Sequence, residues 1–297
     1  KRLARSRANS RPTTCWAKYS VAFASASSGA WSSFRPPAPK ITVYSFLRAT
    51  VKDIVTLSGD IGGGKSSVGR ILAAALSFKL ISAGGIQREI AASMGLTTLQ
   101  LNELSAKDRS VDDRIDSHTK MLGETTEHII VDSRLAWHFI PDAYKVFLSV
   151  DALVGASRVF DASRADEHHS SLQNALENNL TRAKLEVARF RTLYGIEMRD
   201  YRNYDLVVDT SYASPEIVAQ TIEQAFHAKR TGQPTAQCWM SPKRLLDAPI
   251  ADVSNTSNEG VVTIRTIDGV FVIASGRAKV EAALREGAAL IPAALVS

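Results

Sequence analysis

Residues Gly59-Asp60-Ile61-Gly62-Gly63-Gly64-Lys65-Ser66 fit the spacing G-x-x-x-x-G-K-[ST], and their neighbours restrict how the segment can fold. Ile54-Val55-Thr56-Leu57 reads as a buried strand, and from Ser66 onward Val68, Ile71, Leu72 and Leu76 recur at helical spacing. Strand, glycine-rich turn and helix in this order bind phosphate for a physical reason. Glycines let successive backbone N–H groups turn inward, and the helix N-terminus adds the positive end of its dipole. The cradle is then Gly59, Asp60, Ile61, Gly62, Gly63, Gly64, Lys65, Ser66 and Ser67. Lys65 is expected to bridge the β- and γ-phosphates of a nucleoside triphosphate, and the Ser66 hydroxyl to ligate Mg²⁺.

Further apolar runs occur at Phe78–Ile81, Ile129–Val131, Val146–Leu148 and Leu206–Val208, with helix-like stretches between them. Strands this apolar, alternating with helices, define an α/β fold of P-loop NTPase type: a parallel five-stranded sheet with helices on both faces. That domain is expected over 53–227. A linker over 228–236 leads to about sixty residues, 237–297, with the composition of a small α+β domain. In that tail, Val261–Ile264 and Phe271–Ile273 read as strands joined by an Asp268-Gly269 turn, and Arg277–Glu286 as a short helix.

The formal net charge of +6 over 297 residues is unevenly spread. Residues 1–52 carry ten bases and no acid, so the remainder is net −4. Such a leader, rich in Ser and Arg, has the composition of a transit peptide, a disordered tail or sequence upstream of a misplaced start. Taken without it, the charge does not argue for a nucleic-acid polymer as partner, because counterion release needs bases gathered on a folded face. No apolar run reaches the roughly 18 residues of a membrane span. Cys15 and Cys238 alone make no disulfide framework or cysteine zinc site, and they fit a reducing, cytoplasmic setting.

The residues just after the third apolar run decide among uses of the triphosphate. No N-K-x-D guanine motif is present, and the strand ends Asp132-Ser133-Arg134 rather than in the paired acids of a motor ATPase. One acid and an arginine suit a small-molecule kinase: Asp132 acts on Mg²⁺ through water, and Arg134 holds an anionic acceptor. Arg158 and Arg164 flank a helix end, while Arg182 and Arg189 lie two turns apart on one helical face. Several arginines can stabilise charge spread over the oxygens of a transferring phosphoryl group. The remaining acids (Asp151, Asp161, Asp166) and the His168-His169 pair lack the spacing of a metal site, so no structural metal is expected.

The loop, Leu80-Ile81-Ser82-Ala83-Gly84 with Arg88, Val131–Ala136, Arg189-Phe190 with Leu193–Ile196, and Tyr204–Ser211 occur in an order that resembles the cytidylate kinase family, in particular its short archaeal-type branch. The resemblance covers about 53–226. It implies transfer of the ATP γ-phosphoryl to CMP or dCMP. It also implies that Ser82, Gly84, Arg88 and Arg134 hold the acceptor, and that Arg158, Arg164, Arg182 and Arg189 belong to a lid closing over the triphosphate. A closed lid excludes water and so suppresses hydrolysis. Ser133, Gln87 and Gly85 depart from the family pattern, all three around the acceptor.

The tail, with Met240–Leu246, Gly269–Ile273, Ser275–Ala283 and Ala288–Ala293, is similar to a degenerate ParB/sulfiredoxin-type domain. The expectation is thus a monomeric (d)CMP kinase with a structural or regulatory tail. The alternatives are a P-loop kinase of another small anion, or a nucleotide-sensing regulator.

Overall fold

A computed structural model describes residues 52–97, 100, 101, 104, 109–162, 171–248 and 260–296. The leader through residue 51, together with Arg164, Asp166, His168 and His169, lies outside the described residues. The fold belongs to one compact unit spanning Arg48–Ser297.

In chain order, the kinase-like part runs β1 (Ile54–Gly59), α1 (Lys65–Leu76), β2 (Lys79–Ser82), α2 (Ala83–Ser93), α3 (Ser110–Thr125), β3 (Ile129–Asp132), α4 (Ala136–Phe139), β4 (Tyr144–Ser149), α5 (Ala152–Asp161), α6 (Leu172–Tyr194), β5 (Leu206–Asp209) and α7 (Pro215–Thr231). The tail adds β6 (Cys238–Met240), α8 (Pro242–Asp247), β7 (Val262–Ile267), β8 (Val270–Ser275), α9 (Arg277–Arg285) and β9 (Ile291–Leu295). All these strands join one sheet, ordered β2-β3-β1-β4-β5-β6-β9-β7-β8. The first six of these positions are parallel; β9 and β8 pair antiparallel with β6 and β7.

The five strands expected from sequence form at one end of the sheet. Four of them, β1, β3, β4 and β5, are buried almost throughout, whereas β2 at the edge is half-buried. Alternation along them divides the core between the two faces, because successive side chains point opposite ways. Leu57, Val146, Leu148 and Val208 face α1 and α7, meeting Val68, Leu72, Ile222 and Phe226. On the other face Phe147 and Val207 join Trp137, Tyr201 and Tyr204, while Ile129 and Val131 meet Ala136 and Ile140.

The tail does not stand apart as a separate small domain. Cys238 and Trp239 pair with Val207 and Val208, extending the parallel sheet by one strand. Met240, Leu245, Ile264, Phe271 and Val280 then complete the apolar cluster begun by Phe147 and Tyr204. The reason lies in β5, whose outer edge would otherwise present unpaired N–H and C=O groups. The expected linker is also shorter, since α7 continues to Thr231. Its ends are well marked: Ser214 Oγ accepts from Ile217 N–H, Pro215 and Glu216 open the first turn, Lys229 and Arg230 close the last, and Gly232 caps it at φ 68°.

Candidate active site

Strand order places β1 between β3 and β4, where the connections diverge to opposite sides, and a crevice opens above the carboxyl ends of such strands. Gly59 to Gly64 span that crevice. Gly62 has φ +77°, and a Cβ there would lie 2.3 Å from the carbonyl oxygen of Gly155 on α5, so only glycine permits this approach. Asp60 N–H donates to Leu148 O at 2.9 Å and Gly63 N–H to Asp60 O at 3.1 Å, which folds the loop on itself. Gly64, the residue before α1, is left-handed and caps the helix with no side chain. The first amides of α1 therefore remain available to an anion.

A cleft of about 470 Å³ runs along the loop, bounded by Lys65, Ser66, Arg134, Arg158 and Arg182 and, farther out, Thr210, Ala213 and Pro215. Burial lowers the pKa of Lys65, and nearby Arg134 lowers it further. Burial also lowers that of Arg134, with Arg182 adding to the effect. Cations forced together out of water in this way form a site that an anion relieves. Ser66 Oγ donates to Asp132 Oδ2 at 3.1 Å. A hydroxyl and a carboxylate in contact beside the loop fit a Mg²⁺ ion, which takes oxygen donors.

The acceptor residues lie at adjoining strand ends. Ser82 is registered with Asp132 across β2 and β3, and Asp132 with Leu57 across β3 and β1. Ser82 Oγ accepts from Gly85 N–H at 3.1 Å, starting α2. The Arg88 guanidinium folds back over that turn, with its Nη1 3.4 Å from where a Cβ on Gly84 would stand. Arg134 is anchored through its carbonyl, which accepts from Ser58 Oγ at 3.0 Å, and its side chain pairs with Glu186 of α6.

Among the lid arginines the structure makes distinctions that spacing could not. Arg182 borders the loop cleft and also meets Glu186 at 3.2 Å. Arg189 instead reaches Asp112 of α3 at 2.6 Å, and Tyr194 OH donates to Asp116 at 2.7 Å, so this end of α6 is tied to α3 rather than turned to the triphosphate. Arg158 donates to the backbone oxygens of Gly62 (3.2 Å), Thr210 (2.6 Å) and Ser211 (3.2 Å) and to the Thr210 hydroxyl (3.3 Å). Its position holds the loop against the end of β5.

Sequence reasoning missed Glu186, although its place one turn beyond Arg182 is an ion-pair spacing. It also missed Arg199, which pairs with Asp60 of the loop at 2.9 Å, and Arg244 of the tail. No local pattern marks either one.

A parallel sheet crossed by a phosphate-binding loop, with basic groups on both sides of Lys65, defines a P-loop kinase acting on small molecules. The family model described as "Cytidylate kinase-like family" matches residues 54–212, and the chain belongs to that family. A cytidylate kinase of Natronomonas pharaonis is 33% identical over 177 residues, 59% of this chain and 90% of that protein. Another, from Ignicoccus hospitalis, is 34% identical over 175 residues, 58% of this chain and 97% of that protein. A solved shikimate kinase of Aquifex aeolicus is similar with a TM-score of 0.41 and 19% identity, covering 60% of this chain and 99% of that one. Among the described residues, no helix is long and apolar enough to cross a membrane.

Proposed function

We propose that this protein transfers the γ-phosphoryl group of ATP to CMP or dCMP, giving ADP and CDP or dCDP. The observation that carries the reading is the alignment of three strand ends, where the loop, the Ser66–Asp132 contact and the Ser82 turn with Arg88 are set side by side. Two phosphate-sized anions held there would meet over Arg134, whose charge serves both. The family match over 54–212 and the 33–34% identity to cytidylate kinases over 175–177 residues support a cytidine nucleotide over other acceptors.

In this reading the amides of Gly62, Gly64, Lys65 and Ser66 and the Lys65 ammonium bind the triphosphate. Ser66 and Asp132 would hold Mg²⁺, which when bound supplies neutralising charge to the phosphate oxygens. Ser82, Gly84, Arg88 and Arg134 orient the acceptor so that its phosphate oxygen faces the γ-phosphorus, and positioning of this kind accounts for much of the acceleration in phosphoryl transfer. Arg182 and Arg134 stabilise the charge on the transferring group. Arg158, Thr210, Ala213 and Pro215 border the end of the cleft that would take the adenine.

ADP release measured with CMP, dCMP, UMP, AMP and no acceptor tests the proposal. Acceleration by CMP or dCMP well beyond the others is the expected outcome. Equal rates with and without a nucleotide acceptor would refute it.

A further inference from the structure

The family match ends at residue 212, yet a side chain from beyond it reaches the ends of β4 and β5, whose neighbours hold the phosphate-binding loop. Arg244 on α8 is partly buried, with 12% of its side chain exposed. Its Nη1 donates to Ser149 Oγ and to Asp209 Oδ1, each at 2.9 Å, and its Nη2 to Val150 O at 3.3 Å. The Asp209 carboxylate is fully buried. The guanidinium lies over the Phe271 ring of β8, 5.5 Å from its centroid, so the tail's own core sets its direction.

Two chains of contacts lead from this guanidinium to the loop. On the first, Ser149 Oγ reaches Asp60 Oδ2 at 3.4 Å, and Val150 N–H donates to the same oxygen at 3.2 Å. On the second, Ser211 donates to Asp209 Oδ1 through both N–H (3.0 Å) and Oγ (2.6 Å); the carbonyl of Ser211 accepts from Arg158, which also holds Gly62 O at 3.2 Å. Asp60 and Gly62 are both loop residues. Their orientation decides whether the loop amides point at a phosphate. Arg244 does not border the loop cleft; it lines a neighbouring cavity of about 370 Å³ behind Asp60 and Ile61, and its hydrogen bonds run to Ser149, Val150 and Asp209 rather than to the loop itself.

We infer that Arg244 is a positioning residue of the ATP site: the segment beyond the family match fixes the phosphate-binding loop from behind through Ser149 and Asp209. The inference rests on the proposed binding of ATP but not on the identity of the acceptor.

Arg244→Met keeps length and the contact with Phe271 while removing the donors. ATP affinity, read by calorimetry without acceptor, is expected to weaken about tenfold, the size of effect that loss of charge-assisted hydrogen bonds produces. The KM for ATP should rise in parallel while the KM for CMP stays within about twofold. Arg244→Lys should recover part of the ATP affinity. Leu245→Ala, a buried apolar neighbour on the same helix whose side chain can make no hydrogen bond in either chain, controls for stability: it should lower Tm yet leave ATP affinity within about twofold. An Arg244→Met protein with unaltered ATP affinity would overturn the inference, as would an equal loss in Leu245→Ala. If Arg244→Met does not fold, Ser149→Ala, a change of one hydroxyl, should still weaken ATP binding severalfold, and no change there overturns the inference as well. Absence of CMP turnover in the unaltered protein would refute the acceptor alone, because ATP affinity is read without it.

Discussion

Burial of the Lys65 ammonium has a signature in pH. Its folded pKa lies below 10.5, so between the lowered value and 10.5 the unfolded chain holds more protons than the fold. Stability of the protein without ligand therefore rises with pH across that interval, and the burial penalty is fully present below it. ATP affinity runs the other way, falling as the ammonium loses its proton, since the phosphates need that charge. Melting curves and ATP binding followed from about pH 7 to pH 10.5 should show the two opposite slopes. Lys65→Ala should weaken both slopes, leaving near the top of the range the share of Arg134, whose pKa burial lowers to about 10, and should lower kcat by roughly 10²–10³-fold, as loss of one preorganised charge at a transferring group does. Gly62→Ala tests the loop geometry instead. With φ +77° and a carbonyl 2.3 Å from the new Cβ, it should cost at least about 1–3 kcal/mol and abolish ATP binding; a variant with normal Tm and ATP affinity would contradict the close approach of the loop to Gly155.

Helix α6 divides its arginines between two duties, and substitutions should separate them. Arg182→Ala, beside Lys65 and Arg134, is expected to lower kcat about 100-fold with little change in substrate KM. Arg189→Ala, which releases Asp112 of α3, should chiefly raise the acceptor KM, because α3 packs on α2, the helix that carries Arg88, while α6 holds Arg134 through Glu186. Steady-state kinetics with each substrate varied distinguishes these outcomes. The same helix shows how far sequence can be read. The spacing of Arg182 and Arg189 correctly implies a shared side of a helix, but it carries no information about which carboxylates wait opposite. The loop and the central strands were legible because their signals are local: glycine spacing, a strand buried on both faces, a helix beginning at Ser66. The strand Cys238–Met240 was not, because three residues have no period and its place comes from the free edge of β5. Arg199 and Arg244 were invisible for a similar reason, each meeting its partner across a large separation in sequence.

At the scale of the whole molecule, the sheet makes the tail inseparable from the kinase core. Phe147, Tyr201, Tyr204 and Val207 share one apolar cluster with residues from Cys238 onward. Truncation after Gly232 should therefore expose that apolar surface and the edge of β5, giving an aggregated or strongly destabilised product by size-exclusion chromatography and thermal melting. A soluble, cooperatively melting truncated protein would refute this. The position of β9 adds a constraint of time. In the sheet β9 stands between β6 and β7, although it is made after both β7 and β8. During synthesis the hairpin of β7 and β8 is therefore complete while its berth on the sheet is still missing. Until Ile291–Leu295 emerge, β6 keeps an open edge and Arg244 lacks a Phe271 ring seated beneath it. Since domains fold as their chain emerges at about 5–20 residues per second, the nucleotide pocket should mature only when its most distant strand arrives, and a ribosome paused before that point would hold a chain with a formed loop and no settled grip on ATP.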